Sequence, residues 1–176
     1  MKVLNSKIMK EFLNKASQRL KGEWLLVGGT LLPALGLDIR ATADIDFIGL
    51  SSLEQGQQLE LMQIAEDLGL SIETVNQAAL FFVEKAKISK GDKILLLQSK
   101  NNKIYRPTVE FYWKLKLARF SETDLLDCQH YYQWAQHFGD AIDRNKLLKL
   151  ISEVLKQPCS KEKNLRMEKL RDFLRP

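Results

Sequence analysis

The chain has 176 residues, of which 45% are hydrophobic and 28% are charged, and its formal net charge is +5. This composition suits one well-cored domain with a helical appendage and excludes a disordered or fibrous chain. The sequence shows no membrane-length apolar run and no signal-type apolar core, so we expect a cytoplasmic protein with no membrane partner. Cys128 and Cys159 lack metal-ligand spacing and are expected to be reduced, packed thiols.

The first half of the chain is expected to alternate helices with short strands. Its predicted helices run to about residue 20, over 30–35 and over 53–68. Its predicted strands cover 23–27, a segment that contains Asp44 and Asp46, and 71–75. Gly69 takes the usual position just after a helix.

The second half is expected to open with a hairpin and continue as helices. Strands over 94–98 and 104–105 flank a polar stretch that is typical of a turn. Helical spacing then extends over 109–174, with breaks near 139–140 and 157–158. This order predicts an α+β fold, with a small mixed β-sheet flanked by helices in residues 1–107 and a helical part, packed on that core, in residues 108–176.

The segment from Trp24 to Leu50 combines an apolar strand, a glycine turn and a pair of aspartates. Successive side chains of a strand alternate faces, so Asp44 and Asp46 are expected to point to the same side. Two carboxylates at one point repel each other and favour a cation such as Mg²⁺ or Mn²⁺. The Gly28-Gly29 turn before a helix would offer backbone N–H groups to a phosphate. Taken singly, each feature also fits a tight turn or a solvated strand face.

The order of these features resembles the signature of the nucleotidyltransferase superfamily, which has the polymerase-beta-like fold. The resemblance implies that Asp44 and Asp46 are catalytic and hold the metal that activates a nucleoside triphosphate such as ATP. It implies that the triphosphate is bound by five nearby residues, namely Gly28, Gly29, Thr30, Arg40 and Thr42.

A second segment, from Thr108 to Trp134, resembles the helical pattern of the AbiEii-type toxin nucleotidyltransferases, in which a lysine and an arginine precede Asp-Leu-x-Asp. By this resemblance Lys116 is the functional lysine, and Asp124 or Asp127 is the downstream acid. The family implies a toxin of a toxin–antitoxin pair, with an antitoxin protein as partner and RNA, tRNA or a protein hydroxyl as acceptor.

The residues of this segment also allow a simpler interpretation. Lys116 borders an apolar helical stripe, as a snorkelling surface lysine would. Ser121 is a predicted N-cap, and capping alone would explain Asp124 but not Asp127. Lys114 is expected to be solvated.

Two further features bear on activity and on partners. Many members of the superfamily carry a third acid, and Glu73 and Glu84 are the nearest but unconvincing candidates, which leaves open a protein that binds nucleotide without transferring it. Residues 144–176 carry ten Lys and Arg against four Asp and Glu, a surplus of six positive charges. Such a tail could follow RNA, or it could be a solvated amphipathic helix pair.

Overall fold

The computed structural model describes residues 3–175. The chain divides into two compact units, residues 1–107 and 108–176. The division falls between Pro107 and Thr108. Within residues 3–175, no helix combines the length and the apolar character that crossing a membrane would require.

The described part of the first unit contains both helices and strands. Its α-helices are α1 (Ser6–Arg19), α2 (Leu31–Ala34), α3 (Ser52–Gln55), α4 (Gln58–Asp67) and α5 (Leu80–Ala86). Its strands are β1 (Gly22–Val27), β2 (Ile45–Gly49), β3 (Val75–Asn76), β4 (Lys93–Gln98) and β5 (Asn102–Pro107). The described part of the second unit is helical, with α6 (Val109–Leu117), α7 (Glu122–His137), α8 (Arg144–Leu155) and α9 (Lys161–Phe173).

The strands form a mixed five-stranded sheet in the order β3-β2-β1-β5-β4. Strand β1 lies at the centre, antiparallel to β2 and parallel to β5. Strands β2 and β3 are parallel, and β4 and β5 form the predicted antiparallel hairpin. The predicted α+β class with a mixed sheet is therefore confirmed.

An aromatic cluster joins α1 to the centre of this sheet. Trp24 of β1 stacks on Phe47 of β2 with 5.1 Å between ring centroids, and Phe12 of α1 meets Phe47 edge-on at 5.3 Å. All three side chains are fully buried. Because aromatic pairs add about 0.5–1.5 kcal/mol beyond their area burial, this cluster holds β1 and β2 in a defined position below α1.

Two predicted elements differ from the structure. The single helix expected over 53–68 is split into α3 and α4, because the Gln57 side chain bonds the backbone of Lys21: its Oε1 accepts from the Lys21 N–H at 2.9 Å and its Nε2 donates to the Lys21 carbonyl at 3.0 Å. The strand expected over 71–75 is mostly a 3₁₀ turn over Ile72–Thr74, capped by the Ser71 side chain, and only its end enters the sheet as β3. Helix α5 was not anticipated by the sequence pattern.

In the second unit, the apolar stripe that Lys116 is expected to border is buried. It consists of Val109, Trp113 and Leu117 of α6 and of Phe120, which follows the helix with φ +53°. Ser121 caps α7 in a reciprocal arrangement with Asp124, which confirms the predicted N-cap. Tyr112 of α6 meets Tyr131 of α7 at 4.9 Å between ring centroids, so the two helices pack through aromatic contacts.

Candidate functional site

The glycine turn after β1 is shaped by close contacts that only glycine permits. Gly28 has φ +72°, a left-handed conformation that glycine adopts without steric cost. A Cβ atom built on Gly28 would overlap the Asp46 carboxylate, and one built on Gly29 would overlap the Arg40 guanidinium. The same added atom at Gly29 would lie 3.3 Å from the Thr42 hydroxyl. The turn is therefore lined by an acidic side chain on one side and a basic one on the other.

Strand pairing explains why Asp46 lies beside this turn. In the antiparallel β1–β2 register Asp46 is opposite Val27, the last residue of β1, and the turn begins at the next residue. Asp46 is half-buried, whereas Asp44 is exposed and precedes β2, which begins at Ile45. The structure thus places Asp46 beside the two glycines. Asp44 lies one residue before the first residue of β2.

The loop between α2 and β2, which carries Arg40 and Thr42, is anchored by the start of the chain. The Leu4 N–H donates to the Thr42 carbonyl at 3.2 Å. The backbone N–H and the hydroxyl of Ser6 both donate to the Asp38 carboxylate, each at 2.6 Å. These three bonds hold both ends of the segment that supplies Arg40.

Thr30 has a different environment from the residues of the turn. It is fully buried, and its hydroxyl lies 3.5 Å from the carbonyl oxygen of Val27, at the long limit of a hydrogen bond. In this structure the Thr30 hydroxyl is directed to the backbone at the end of β1.

The acidic donors present fit a metal that is shared with a phosphate ligand. Glu73 and Glu84, the candidates for a third acid, are both exposed, on the 3₁₀ turn and on α5. Within residues 3–175, no three His, Cys, Asp or Glu side chains converge as a metal cluster. Mg²⁺ commonly takes only one or two protein carboxylates and completes its octahedron with water and substrate phosphate. A site of this kind would need only the two predicted ligands, Asp44 and Asp46, whereas a closed structural site would need more.

Sequence analysis missed one residue of this site, Asn76. It is in register with Asp46 on the neighbouring strand β3, and its Oδ1 accepts a hydrogen bond from the Ala78 N–H at 3.0 Å. The β2–β3 pairing joins residues about thirty positions apart, and no local pattern in the sequence signals it.

A buried charge network occupies the second unit. The Lys116 ammonium lies 3.0 Å from Asp124 Oδ1 and 2.9 Å from Asp127 Oδ2. The side chains of Asp124 and Asp127 are 1% and 0% exposed, and that of Lys116 is 10% exposed. Arg119 donates two further hydrogen bonds to Asp124, at 3.1 and 3.0 Å. The sequence left open which aspartate accompanies Lys116, and in the structure both do.

In this network, the effect of neighbouring charges and hydrogen bonds on the pKa of Lys116 and on that of Asp124 is larger than the effect of burial. Burial alone would lower the pKa of Lys116, but the carboxylates of Asp127 and Asp124 raise it instead. Burial alone would raise the pKa of Asp124, but hydrogen bonds from Arg119, the charge of Lys116 and the Ser121 N–H hold it well below its ordinary value. Lys116 and Asp124 are therefore charged at neutral pH, and the network ties the end of α6 to the start of α7.

Part of the basic tail also has a structural role. Lys163 Nζ donates to the Ala118 carbonyl at 3.0 Å, and Arg166 Nε donates to the Phe120 carbonyl at 2.9 Å. Both carbonyls lie at the end of α6, where positive charge is favourable. Other cations of the tail, such as Lys149 and Lys169, are exposed.

Comparison of the chain with protein-family models, with curated proteins and with solved structures finds no match.

Proposed function

We propose that this chain is a metal-dependent nucleotidyltransferase of the polymerase-beta-like fold. It would move a nucleoside monophosphate from a nucleoside triphosphate to a hydroxyl acceptor. The observation that supports this proposal best is the glycine turn, whose two residues closely contact an aspartate and an arginine. A guanidinium binds phosphate oxygens and a carboxylate binds Mg²⁺, so this pair of side chains suits a triphosphate with a bound cation.

In this proposal the glycines of the turn and the charged residues near it have different roles. The Arg40 guanidinium neutralises phosphate oxygens and can donate two parallel hydrogen bonds to them. Because Gly28 and Gly29 have no side chain, Asp46 and Arg40 can lie directly beside the turn, where they would meet the cation and the phosphates. Asp46 and Asp44 would hold the cation, which when bound neutralises charge on the phosphate oxygens. In the reaction the acceptor oxygen bonds to the α-phosphorus as the bond to pyrophosphate breaks.

One observation favours a second candidate, a protein that binds nucleotide without transferring it. Glu73 and Glu84 are exposed, and no third acid joins Asp44 and Asp46 within the described residues. The intact pair of aspartates favours the enzyme, since sheet packing does not require either carboxylate. An RNA or tRNA acceptor, an antitoxin partner and a toxin role are extensions of the proposal that depend on the family resemblance and the basic tail.

Nucleotide binding is tested by thermal unfolding with Mg²⁺ and each nucleoside triphosphate. A ligand at about 100 times its dissociation constant stabilises the folded state by roughly 2.7 kcal/mol, so the melting temperature should rise. Replacing Asp44 and Asp46 together by Asn should abolish the rise. If saturating Mg²⁺ and nucleotide leave wild-type melting unchanged, the proposal is wrong in both of its forms.

The chain offers a matched control for the turn. Gly28→Ala and Gly36→Ala both place alanine at positive φ, +72° and +87°, at a cost of about 1–2 kcal/mol each. Only at Gly28 does the new methyl group displace Asp46, because nothing lies within 4 Å of the added atom at Gly36. Gly28→Ala should therefore lose the nucleotide-dependent rise in melting temperature, whereas Gly36→Ala should keep it.

Transfer is distinguished from binding by incubating the protein with α-³²P nucleotides and a pool of cellular RNA and protein. Label on either acceptor class that disappears in the Asp44→Asn, Asp46→Asn variant supports the enzyme. A melting-temperature rise with no transfer from any nucleotide would select the binding protein.

A further inference from the structure

A groove in the first unit lies among α1, α2 and β4 and shares none of the residues of the glycine turn. Its volume is about 570 Å³, within the range of roughly 300–1,000 Å³ that is typical of ligand sites. The apolar part of its lining comes from Leu13, Pro33, Leu96 and Leu97. We call it the β4 groove.

The strand beside this groove is an edge strand with an unusual composition. Within the described residues, β4 is the last strand of the sheet and pairs only with β5. Its sequence, KILLLQ, is strongly apolar, yet Leu95 remains 48% exposed. Alternate residues of an edge strand direct backbone N–H and C=O groups outward, where they can pair with another chain.

An irregularity in β4 increases the apolar surface of the groove. The register between β4 and β5 shifts between Leu95 and Leu97, as at a β-bulge. In a regular strand consecutive side chains point to opposite faces, but at a bulge two neighbours can share one. Leu96 and Leu97 accordingly both line the groove.

The rim of the groove carries positive charge. Lys7 and Lys10 lie one turn apart on α1, both line the groove, and both are exposed. Neither forms an ion pair with another residue in the range 3–175. The Asp38 carboxylate near this rim already accepts two hydrogen bonds from Ser6. A second copy of the chain would bring like charges together here, whereas an acidic partner would be attracted.

We propose that the β4 groove binds an extended segment of a partner protein that carries both apolar and acidic residues at every second position, on the one face that meets the groove. The segment would pair with the outer edge of β4 through backbone hydrogen bonds. Its apolar side chains would occupy the groove against Leu13, Leu96 and Leu97, and its carboxylates would meet Lys7 and Lys10. This inference does not depend on the proposed nucleotide site.

The test uses a displayed library of random twelve-residue peptides, selected on the full chain. Enriched peptides should carry both apolar residues and Asp or Glu at every second position, and the best one is then synthesised for binding by fluorescence anisotropy. Lys7→Glu combined with Lys10→Glu should weaken its binding at least tenfold. The matched control, Lys21→Glu combined with Lys85→Glu, makes the same charge change at exposed positions outside the groove and should bind normally.

Two further measurements test the mode of binding without altering the protein. Amide hydrogen exchange should slow in residues 93–98 when the peptide is bound. The same peptide with every second amide N-methylated should bind at least tenfold more weakly in one of the two alternating patterns, because it then lacks donors for β4. Circular dichroism confirms that each lysine variant is folded.

Several outcomes would overturn the proposal. They are enrichment of peptides without acidic residues, equal affinity in both double variants, and protection of amides only outside β4. Failure of the library to yield any peptide with a dissociation constant below 1 mM would also overturn it. So would a concentration-dependent dimer that the Lys7→Glu, Lys10→Glu variant strengthens, which would assign the groove to a second copy.

Discussion

Replacing Lys116 by Ala should destabilise the second unit strongly, because it removes the ammonium group that bonds two buried carboxylates. Asp124 and Asp127 have almost no exposed side-chain surface, and Lys116 bonds both of them. Removing one partner of a buried ion pair costs about 3–5 kcal/mol. For a chain of this size each kcal/mol lowers the melting temperature by roughly 2–4 °C, so a loss of about 6–20 °C is expected.

Two neighbouring variants serve as controls for Lys116→Ala. Arg119 also bonds Asp124, but its side chain is 76% exposed, so Arg119→Ala should cost no more than about 1 kcal/mol. Lys114 is exposed, and Lys114→Ala should change stability by less than about 0.5 kcal/mol. Lys116→Met combined with Asp124→Asn and Asp127→Asn removes the buried charges and should recover most of the loss.

The pH dependence of unfolding gives a second test of the same network. Because the pKa of Asp124 is lowered by folding, its contribution is present above the ordinary value of about 3.8 and is lost as the pH falls below it. In Lys116→Ala the Lys116 charge no longer favours the ionised form of Asp124, so protonation of Asp124 should cost less stability than it does in wild type. The stability gap between wild type and this variant should narrow as circular dichroism melts are moved from pH 7 to pH 3. Equal melting of the Lys116→Ala and Lys114→Ala variants, or a gap independent of pH, would refute this reasoning.

The role that the family resemblance gives to Lys116 stays a prediction, and the transfer assay can separate it from stability. If Lys116 also stabilises charge in the transition state, Lys116→Ala should lower the transfer rate by roughly 10²–10³-fold at a temperature where it is still folded. The stabilised triple variant should then remain inactive. Normal transfer by the triple variant would limit Lys116 to a structural role.

Two other predictions concern buried groups. Burial raises the pKa of the Cys128 thiol well above its usual range, so a thiol reagent should titrate Cys159 in the native protein and both cysteines only after unfolding in urea. Burial alone would raise the pKa of Glu54, but hydrogen bonds from the Ser51 hydroxyl and the Glu23 N–H lower it, so Glu54→Gln should cost about 1–3 kcal/mol at pH 7 in urea unfolding. That cost should shrink as the pH falls below about 4.5, and a constant cost would contradict the assignment.

Local chemistry explains the parts of the fold that the sequence predicts well. Gly28 at the end of an apolar strand and Ser121 before α7 act within a few residues, so their turn and cap are visible in the sequence. The strands on either side of the polar stretch 99–102 form a hairpin for the same reason. These local effects place Gly28 at the end of β1 and Asp124 in the first turn of α7.

The remaining features depend on contacts between distant residues. Gln57 interrupts a helical pattern because its side chain bonds the backbone of Lys21, thirty-six positions away. The position of Asn76 beside Asp46 follows from the pairing of β2 and β3, and the β4 groove from the packing of α1 beside a bulged strand. Hydrophobic periodicity reports which face of an element is buried but not which element covers it.

Leu4 and Ser6, at the start of α1, bond the loop before β2 and so connect the first turn of this helix to the segment that carries Arg40. The same turn supplies Lys7 to the rim of the β4 groove, so one short stretch of chain is connected to both proposed sites. Removal of the first six residues should let the Arg40 loop move and weaken nucleotide binding, although no residue of the glycine turn has changed. By thermodynamic linkage, a partner that shifts this turn would alter nucleotide affinity by the same factor by which nucleotide alters the affinity of the partner.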